Sequence, residues 1–260
     1  MAAGLRNSSQ GSNMSPTLDQ RLAERQRPAG RAVMRQRWSK LAFLHWRVDP
    51  EMLQSRLPAG LHLDLHEGEA WLGIVPFYMQ RIRPVGLPPL PWLSWFLELN
   101  VRTYVHDDDG RPGVWFFSLD CNQPIAVEIA RRCFHLPYEH ARMKAVEDDV
   151  MIHYECRRSK PGPMSGEAAE FHYGPAGPAA PAAPGTLDFF LAERYLLFSV
   201  SRDGTIHRGS VHHAPYLLAP ARLDRWSIQP AAWNHFDLPL SPPDSALWVD
   251  HVDVDVFPLE

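Results

Sequence analysis

The sequence predicts a mainly β, α+β domain with a few short helices, and three features predict it. Apolar and polar residues alternate along short runs, most cleanly at Leu61-His62-Leu63-Asp64-Leu65-His66 and from Leu97 to His106. That is the two-residue period of strands with one face buried. Turn residues separate the runs, at Glu67-Gly68, Asp107 to Gly113 and Arg202-Asp203-Gly204. Helix signals are few and brief.

Asp49-Pro50-Glu51 starts a short helix, with a carboxylate cap, proline in the first turn and an acid facing the dipole. Pro58-Ala59-Gly60 stops it. Leu61 to His66 and the apolar run Ala70 to Met79 read as a hairpin. Pro84 to Pro91 makes an irregular surface loop. The strand Leu97 to His106 precedes a second one, Val114 to Asp120, and the two are expected to pair. Asn122 can cap a helix from Gln123 to Phe134, whose last turn carries Arg131 and Arg132. Further strands are expected near Ala141 to Ala145, Val150 to Arg157 and Glu167 to Tyr173. Gly174 to Gly185 is low in complexity and reads as an exposed loop within one domain. Thr186 caps a short helix. Tyr195 to Ser201 and Ile206 to Val211 form a hairpin, and Leu247 to Phe257 a closing strand.

The expected organisation is a disordered tail over residues 1–34 and a single domain over residues 35–260. The tail is polar and Arg-rich, with no apolar run before a small-residue cleavage site, so it is not a secretory signal. It reads as a segment that buries nothing, with Met14 or Met34 as alternative starts. Three dispersed cysteines, Cys121, Cys133 and Cys156, form no CxxC pair and fit a reducing, cytoplasmic setting. A net charge of -4 offers no reason to expect nucleic acid or an anionic membrane as partner. No run approaches the roughly 18 apolar residues of a membrane span.

Candidate chemistry lies first on the even positions of the Leu97 to His106 strand. Glu98, Asn100, Arg102 and Tyr104 share one face. If that face looks inward, Arg102 can hold a ligand carboxylate, and Glu98 can act as acid or base once desolvation raises its pKa. The plainer reading is an exposed face on which Glu98 and Arg102 neutralise each other. Glu193-Arg194-Tyr195 either anchors a helix-to-strand junction or contacts ligand. His207, His212 and His213, and His251 with Asp253 and Asp255, have metal-like spacing, but nothing fixes a third ligand, and a solvated face accounts for them better. No GxSxG, Walker loop or GxGxxG occurs. The expected site therefore needs no metal and no cofactor.

Several strings, in order from about Trp38 to the C-terminus, resemble the YqjF-like family of the acetoacetate-decarboxylase-like superfamily. They are Phe43-Leu44-His45-Trp46, Leu57-Pro58-Ala59-Gly60-Leu61, Glu98 to Tyr104, Gly113 to Asp120, Leu136-Pro137-Tyr138, Phe190 to Tyr195, and His213-Ala214-Pro215-Tyr216. The resemblance implies a β-barrel or curved antiparallel sheet around a pocket. True acetoacetate decarboxylases carry an imine-forming lysine after a proline, where this chain has Tyr138 after Pro137. A phenol cannot form an imine, and Lys144 is the nearest lysine. The resemblance thus implies a pocket for a small-molecule ligand, with Glu98 and Tyr138 as catalytic pair. Asn100, Arg102, Arg131, Glu193, Arg194 and His213 become substrate-binding candidates. Two functions stay open, an acid–base enzyme acting on a small carbonyl or carboxylic acid and a non-catalytic metabolite carrier. A homo-oligomer is compatible with either.

Overall fold

The alternating runs fold as strands of one curved sheet. The computed structural model describes residues 15–159 and 167–260. In chain order the strands are β1 (Met34–Val48), β2 (Leu61–Leu63), β3 (Ala70–Pro84), β4 (Phe96–Asp107), β5 (Pro112–Cys121), β6 (Tyr138–Asp148), β7 (Met151–Arg158), β8 (Ala169–Pro175), β9 (Ala180–Pro181), β10 (Leu196–Val200), β11 (Ile206–His213), β12 (Leu217–Arg225) and β13 (Ser245–Leu259). The helices are α1 (Leu18–Ala23), α2 (Pro50–Gln54), α3 (Pro124–Cys133), α4 (Leu187–Ala192) and α5 (Gln229–Ala232).

Neighbouring strands run β2-β4-β3-β1-β13-β11-β10-β5-β6-β7-β8-β12-β9, and β4 also pairs with β5. That extra pairing brings the sheet round on itself, so neither β4 nor β5 has a free edge there. Most pairings among the described residues are antiparallel. The β10–β5 and β5–β6 pairs are parallel, so the sheet is mixed. A parallel β5–β6 pair needs a crossover connection, and α3 supplies it.

Strands β1, β3 and β4 are buried on both faces. One face of β4, with Leu97, Leu99 and Val101, packs in a core with Leu44, Ile74, Tyr154 and Phe171. This is the layer that β7 and β8 cover. The opposite faces of β1 and β3 present Phe43, Val75 and Phe77, clustered with Val211 and Tyr216.

Some local expectations change. Leu61–Leu63 pairs with Val105 to Asp107 of β4, not with β3; the next residue, Asp64, donates its backbone N–H to the Tyr104 carbonyl and pairs through its side chain with Arg194. Between this run and β3 the backbone forms only an isolated bridge, His66 to Glu69. Gln123 caps α3, and Asn122 instead accepts from the backbone N–H of Leu97. In the Gly174 to Gly185 stretch, the first two residues end β8 and Ala180–Pro181 pairs with Leu217 and Leu218. Most of the rest is exposed.

The expected tail is largely a strap. Its residues 1–14 lie outside the described residues. From Thr17, which caps α1 through a capping box, the chain is pinned by arginines to carboxylates of the domain. Arg21 meets Asp64 at 2.6 Å, Arg25 meets Glu193 at 3.0 Å and Arg27 meets Asp255 at 2.6 Å. Each guanidinium also lies over a phenyl ring, of Phe190, Phe189 and Phe257 respectively, a favourable cation–π arrangement. The carboxylates of Asp64 and Glu193 are fully buried, so the strap neutralises charge that the domain cannot hydrate.

Candidate functional site

The inward face of the sheet encloses a cavity of about 480 Å³. Its walls are chiefly apolar, from Phe43, Val75, Phe77, Leu119, Phe134 and Val211 among others. Its polar groups converge from β4 and β6. Glu98, Asn100 and Arg102 all line it, at 3%, 5% and 8% exposure, and so does Tyr138. The exposed-face reading of this strand is thereby excluded. Pairing of β4 with β3 on one side and β5 on the other keeps the strand away from a sheet edge, and its even positions look into the cavity.

Glu98 and Tyr138 stand forty residues apart and meet in space. The Tyr138 hydroxyl donates to Glu98 Oε2 at 2.7 Å. The link is topological, since Glu98 registers with Cys121 of β5, and β5 pairs in parallel with the start of β6 at Tyr138. Burial raises the Glu98 carboxyl from 4.5 to about 7, against the opposing pull of the Tyr138 hydrogen bond. Burial likewise pushes the Tyr138 phenol well above its ordinary value, and the charge of Glu98 adds to the effect. The pair therefore holds one exchangeable carboxyl proton near neutrality beside a phenol that stays protonated, a combination suited to general acid–base work.

Arg102 is a buried cation whose partners are neutral. Its Nη2 donates to the Leu191 carbonyl at 3.0 Å and to the Tyr104 hydroxyl at 3.3 Å. The guanidinium lies 5.1 Å from the Phe43 ring centroid. Among the described residues its Nε has no hydrogen-bond partner, and neither has Oδ1 of Asn100. Buried polar atoms rarely stay unsatisfied without a reason, and a guanidinium without a carboxylate is a ready anion site. Leu191 is the penultimate residue of α4, so its carbonyl belongs to the unsatisfied end of that helix and suits a cation.

The remaining candidates stand elsewhere. Arg131 does not line the cavity. Its guanidinium grips the backbone carbonyl of Tyr138, with Nε at 2.8 Å, and so fixes the turn that presents the phenol. Glu193 faces Arg25 and accepts from the Tyr216 N–H at 2.9 Å and from the Tyr195 hydroxyl. Arg194 pairs with Asp64 at 2.7 Å. His213 lies between the rings of Tyr195 and Tyr216, 4.5 Å from each. Of these, Glu193 and His213 brace Tyr216, which does line the cavity, while Arg194 lies over the Tyr104 ring. Lys144 lies on an exposed stretch of β6, in a separate groove with His153 and Glu155. No lysine is among the described residues lining the cavity. Asp253 and Asp255 pair with Arg37 and Arg27, and His251 with Asp250.

Three contributors went unrecognised in the sequence. His45 is fully buried, with Nε2 2.6 Å from the Tyr104 hydroxyl. Burial, aided by the nearby Arg102 charge, holds its pKa well below the ordinary value, so the ring is neutral. Since the Tyr104 hydroxyl donates to the Leu191 carbonyl at 2.7 Å, the network assigns the ring proton to Nε2. Gly73 makes room for this arrangement. A Cβ there would sit 3.0 Å from His45 Nε2 and 3.4 Å from Arg102 Cγ. Tyr216 was visible only as the tyrosine of His213-Ala214-Pro215-Tyr216. Two-residue alternation does carry a signal for His45, which shares its side of β1 with Phe43.

No described helix is long and apolar enough to cross a membrane. Comparison with known proteins places the molecule. The model of the DUF2071 family, described as an uncharacterized conserved protein, matches residues 35–253. The chain is 38% identical over 197 residues to the uncharacterized protein YqjF of Bacillus subtilis (strain 168), covering 76% of this chain and 79% of that one. Among solved structures, the enduracididine biosynthesis enzyme MppR complexed with pyruvate aligns with a TM-score of 0.60 at 12% identity, over 89% of this chain and 90% of that one. An acetoacetate decarboxylase gives 0.60 at 15% identity, over 89% of each chain. The acetoacetate decarboxylase of Legionella pneumophila gives 0.58 at 14%, over 98% of each. At these identities the likeness is one of fold. The chain belongs to the DUF2071 family, with YqjF as a relative, and its strands take the acetoacetate-decarboxylase-like fold.

Proposed function

We propose that the cavity is the site of acid–base chemistry on a small carbonyl compound or carboxylic acid, carried out without a lysine imine. The observation that carries this reading is the Tyr138 hydroxyl hydrogen-bonded to a buried Glu98 whose carboxyl titrates near neutrality. In the reaction, Glu98 as carboxylate takes a proton from a C–H beside the ligand's carbonyl. When ligand binds, the single Tyr138 O–H turns from Glu98 Oε2 to the carbonyl oxygen, where the electron pair from the C–H bond collects. Return of the proton from Glu98 to carbon completes an exchange or an isomerisation. Arg102 holds the ligand's carboxylate, and Arg131 keeps Tyr138 in place. A fold shared with an enzyme solved with pyruvate supports a small acid as ligand.

The test pairs trapping with exchange. Acetoacetate with borohydride should leave no covalent adduct on any peptide, because no lysine is among the described residues lining the cavity. In deuterated water, a bound 3-oxo acid should exchange its acidic C–H protons in the wild type, and much more slowly in Glu98→Gln and Tyr138→Phe. A reduced adduct on Lys144, Lys40 or Lys160 would overturn the mechanism. Tight binding without exchange would make the protein a carrier.

A further inference from the structure

Strand β4 orders the cavity along its length. Phe96, Glu98, Asn100 and Arg102 line it at every second position, roughly 6.6 Å apart along the strand. The exposed lining residues gather at the Phe96 end. Phe96 registers with Met79 near the end of β3, and Pro84 at the close of β3 registers with Met34. Val33, Ile129 and Cys133 are exposed there. At the other end α4 closes over Arg102 through the Leu191 carbonyl. The guanidinium buried inside thus stands at the far end from the opening.

The space is larger than a short keto acid needs. At roughly 30 Å³ for each water's share of volume, 480 Å³ equals about 16 waters. An acid of roughly four carbons would leave most of the apolar wall facing empty space. That wall also continues outward. From Pro84 to Leu97 the chain carries no charged residue, and it exposes Leu87, Leu90, Trp92 and Trp95, while α3 exposes Ile125 and Ile129. Pro84, Leu93 and Phe96 of this stretch line the cavity itself. Monomeric proteins seldom expose so continuous an apolar rim without a use for it.

We infer that the ligand is an organic acid with a large apolar body, entering head-first so that its carboxylate meets Arg102 and its hydrocarbon fills the walls toward the mouth. This deepens the preceding reading and shares its site, but it concerns binding alone. A carboxylate on Arg102 would give this buried guanidinium the anionic partner it lacks, and the tail would cover the wall that a short acid leaves bare.

The experiment uses the full chain and calorimetric titration with straight-chain carboxylates from butanoate to dodecanoate, each beside its methyl ester. Affinity should rise roughly fourfold per added methylene until the cavity is full, and then flatten. Acids should bind at least tenfold tighter than their esters. Arg102→Gln should erase the preference for acids, and Arg102→Lys should retain most of it. Ile129→Asn, at the mouth, should weaken the long acids far more than butanoate. Should Arg102→Gln fail to fold, the comparison of acid with ester, made in the wild type and in Arg83→Gln at the mouth, decides the point: an acid preference lost in Arg83→Gln would overturn the inference. Affinity that does not grow with length, or esters that bind as well as acids, would overturn the inference. Exchange of acetoacetate protons without binding of long acids would refute this inference and leave the proposed reaction standing. Long acids binding with no exchange of any oxo acid would do the reverse.

Discussion

Glu98→Gln removes one titration while preserving the shape of the protonated carboxyl, so it isolates what burial does to this group. In the unfolded chain the carboxyl loses its proton near 4.5, and in the folded protein near 7. Below both values the proton is bound in either state, and the group costs nothing on folding. Between them the unfolded chain has released the proton and the native state still holds it, so stability falls as pH rises. Above 7 the penalty is constant. With about 1.36 kcal/mol per unit, it amounts to about 3 kcal/mol, an order-of-magnitude figure for a group with 3% of its surface exposed. The assay is urea unfolding of wild type and Glu98→Gln at several pH values between 5 and 8. Every other titration is common to both proteins and cancels in the difference. The variant should gain on the wild type by about 2–3 kcal/mol across that range, most of it below pH 7.5. A difference that does not vary with pH would show that Glu98 titrates normally and is not desolvated.

Two further outcomes follow from the packing. Deleting residues 1–33 removes Arg25 from the buried Glu193 and Arg21 from the buried Asp64. Losing one partner of a buried pair costs about 3–5 kcal/mol, though Asp64 keeps Arg194, so differential scanning calorimetry should show a fall of at least about 5 °C; an unchanged melting temperature would mean the strap is dispensable. Gly73→Ala crowds His45 and Arg102 at 3.0 and 3.4 Å. It should cost about 1–3 kcal/mol in chemical denaturation, as overpacking does, and should weaken binding of carboxylates; a neutral result would mean His45 has room to move.

Much of β4 was legible because side-chain direction in a strand follows a fixed period. The even positions could be grouped before any partner was known. Which side they faced was not legible, since that depends on β3 and β5 both pairing with β4 and on the curvature of the whole sheet. Tyr138 was reached through likeness to a family, because no local spacing connects it with a residue on β4. The strap was misread for a physical reason. An Arg-rich, polar segment looks solvated unless the carboxylates it meets are known, and Asp64, Glu193 and Asp255 are scattered along the chain. Glu193 and Arg194 stood out as a junction anchor or a ligand contact; they are buried, and their charge is taken up by Arg25 and Asp64. Gly73 leaves no trace in composition at all, since its role exists only where two other side chains cross it.

The central claim is that Glu98 is the base and Tyr138 its hydrogen-bonding partner in a cavity with no lysine among the described residues that line it. The pH profile of proton exchange tests it most directly. Deuterium incorporation into a bound 3-oxo acid, followed by NMR between pH 5 and 9, should rise through a midpoint near 7 as Glu98 ionises, then level off. In Glu98→Gln the same measurement should be flat and near background. Exchange that persists in Glu98→Gln, or a wild type that binds the acid and exchanges nothing at any pH, would contradict the account.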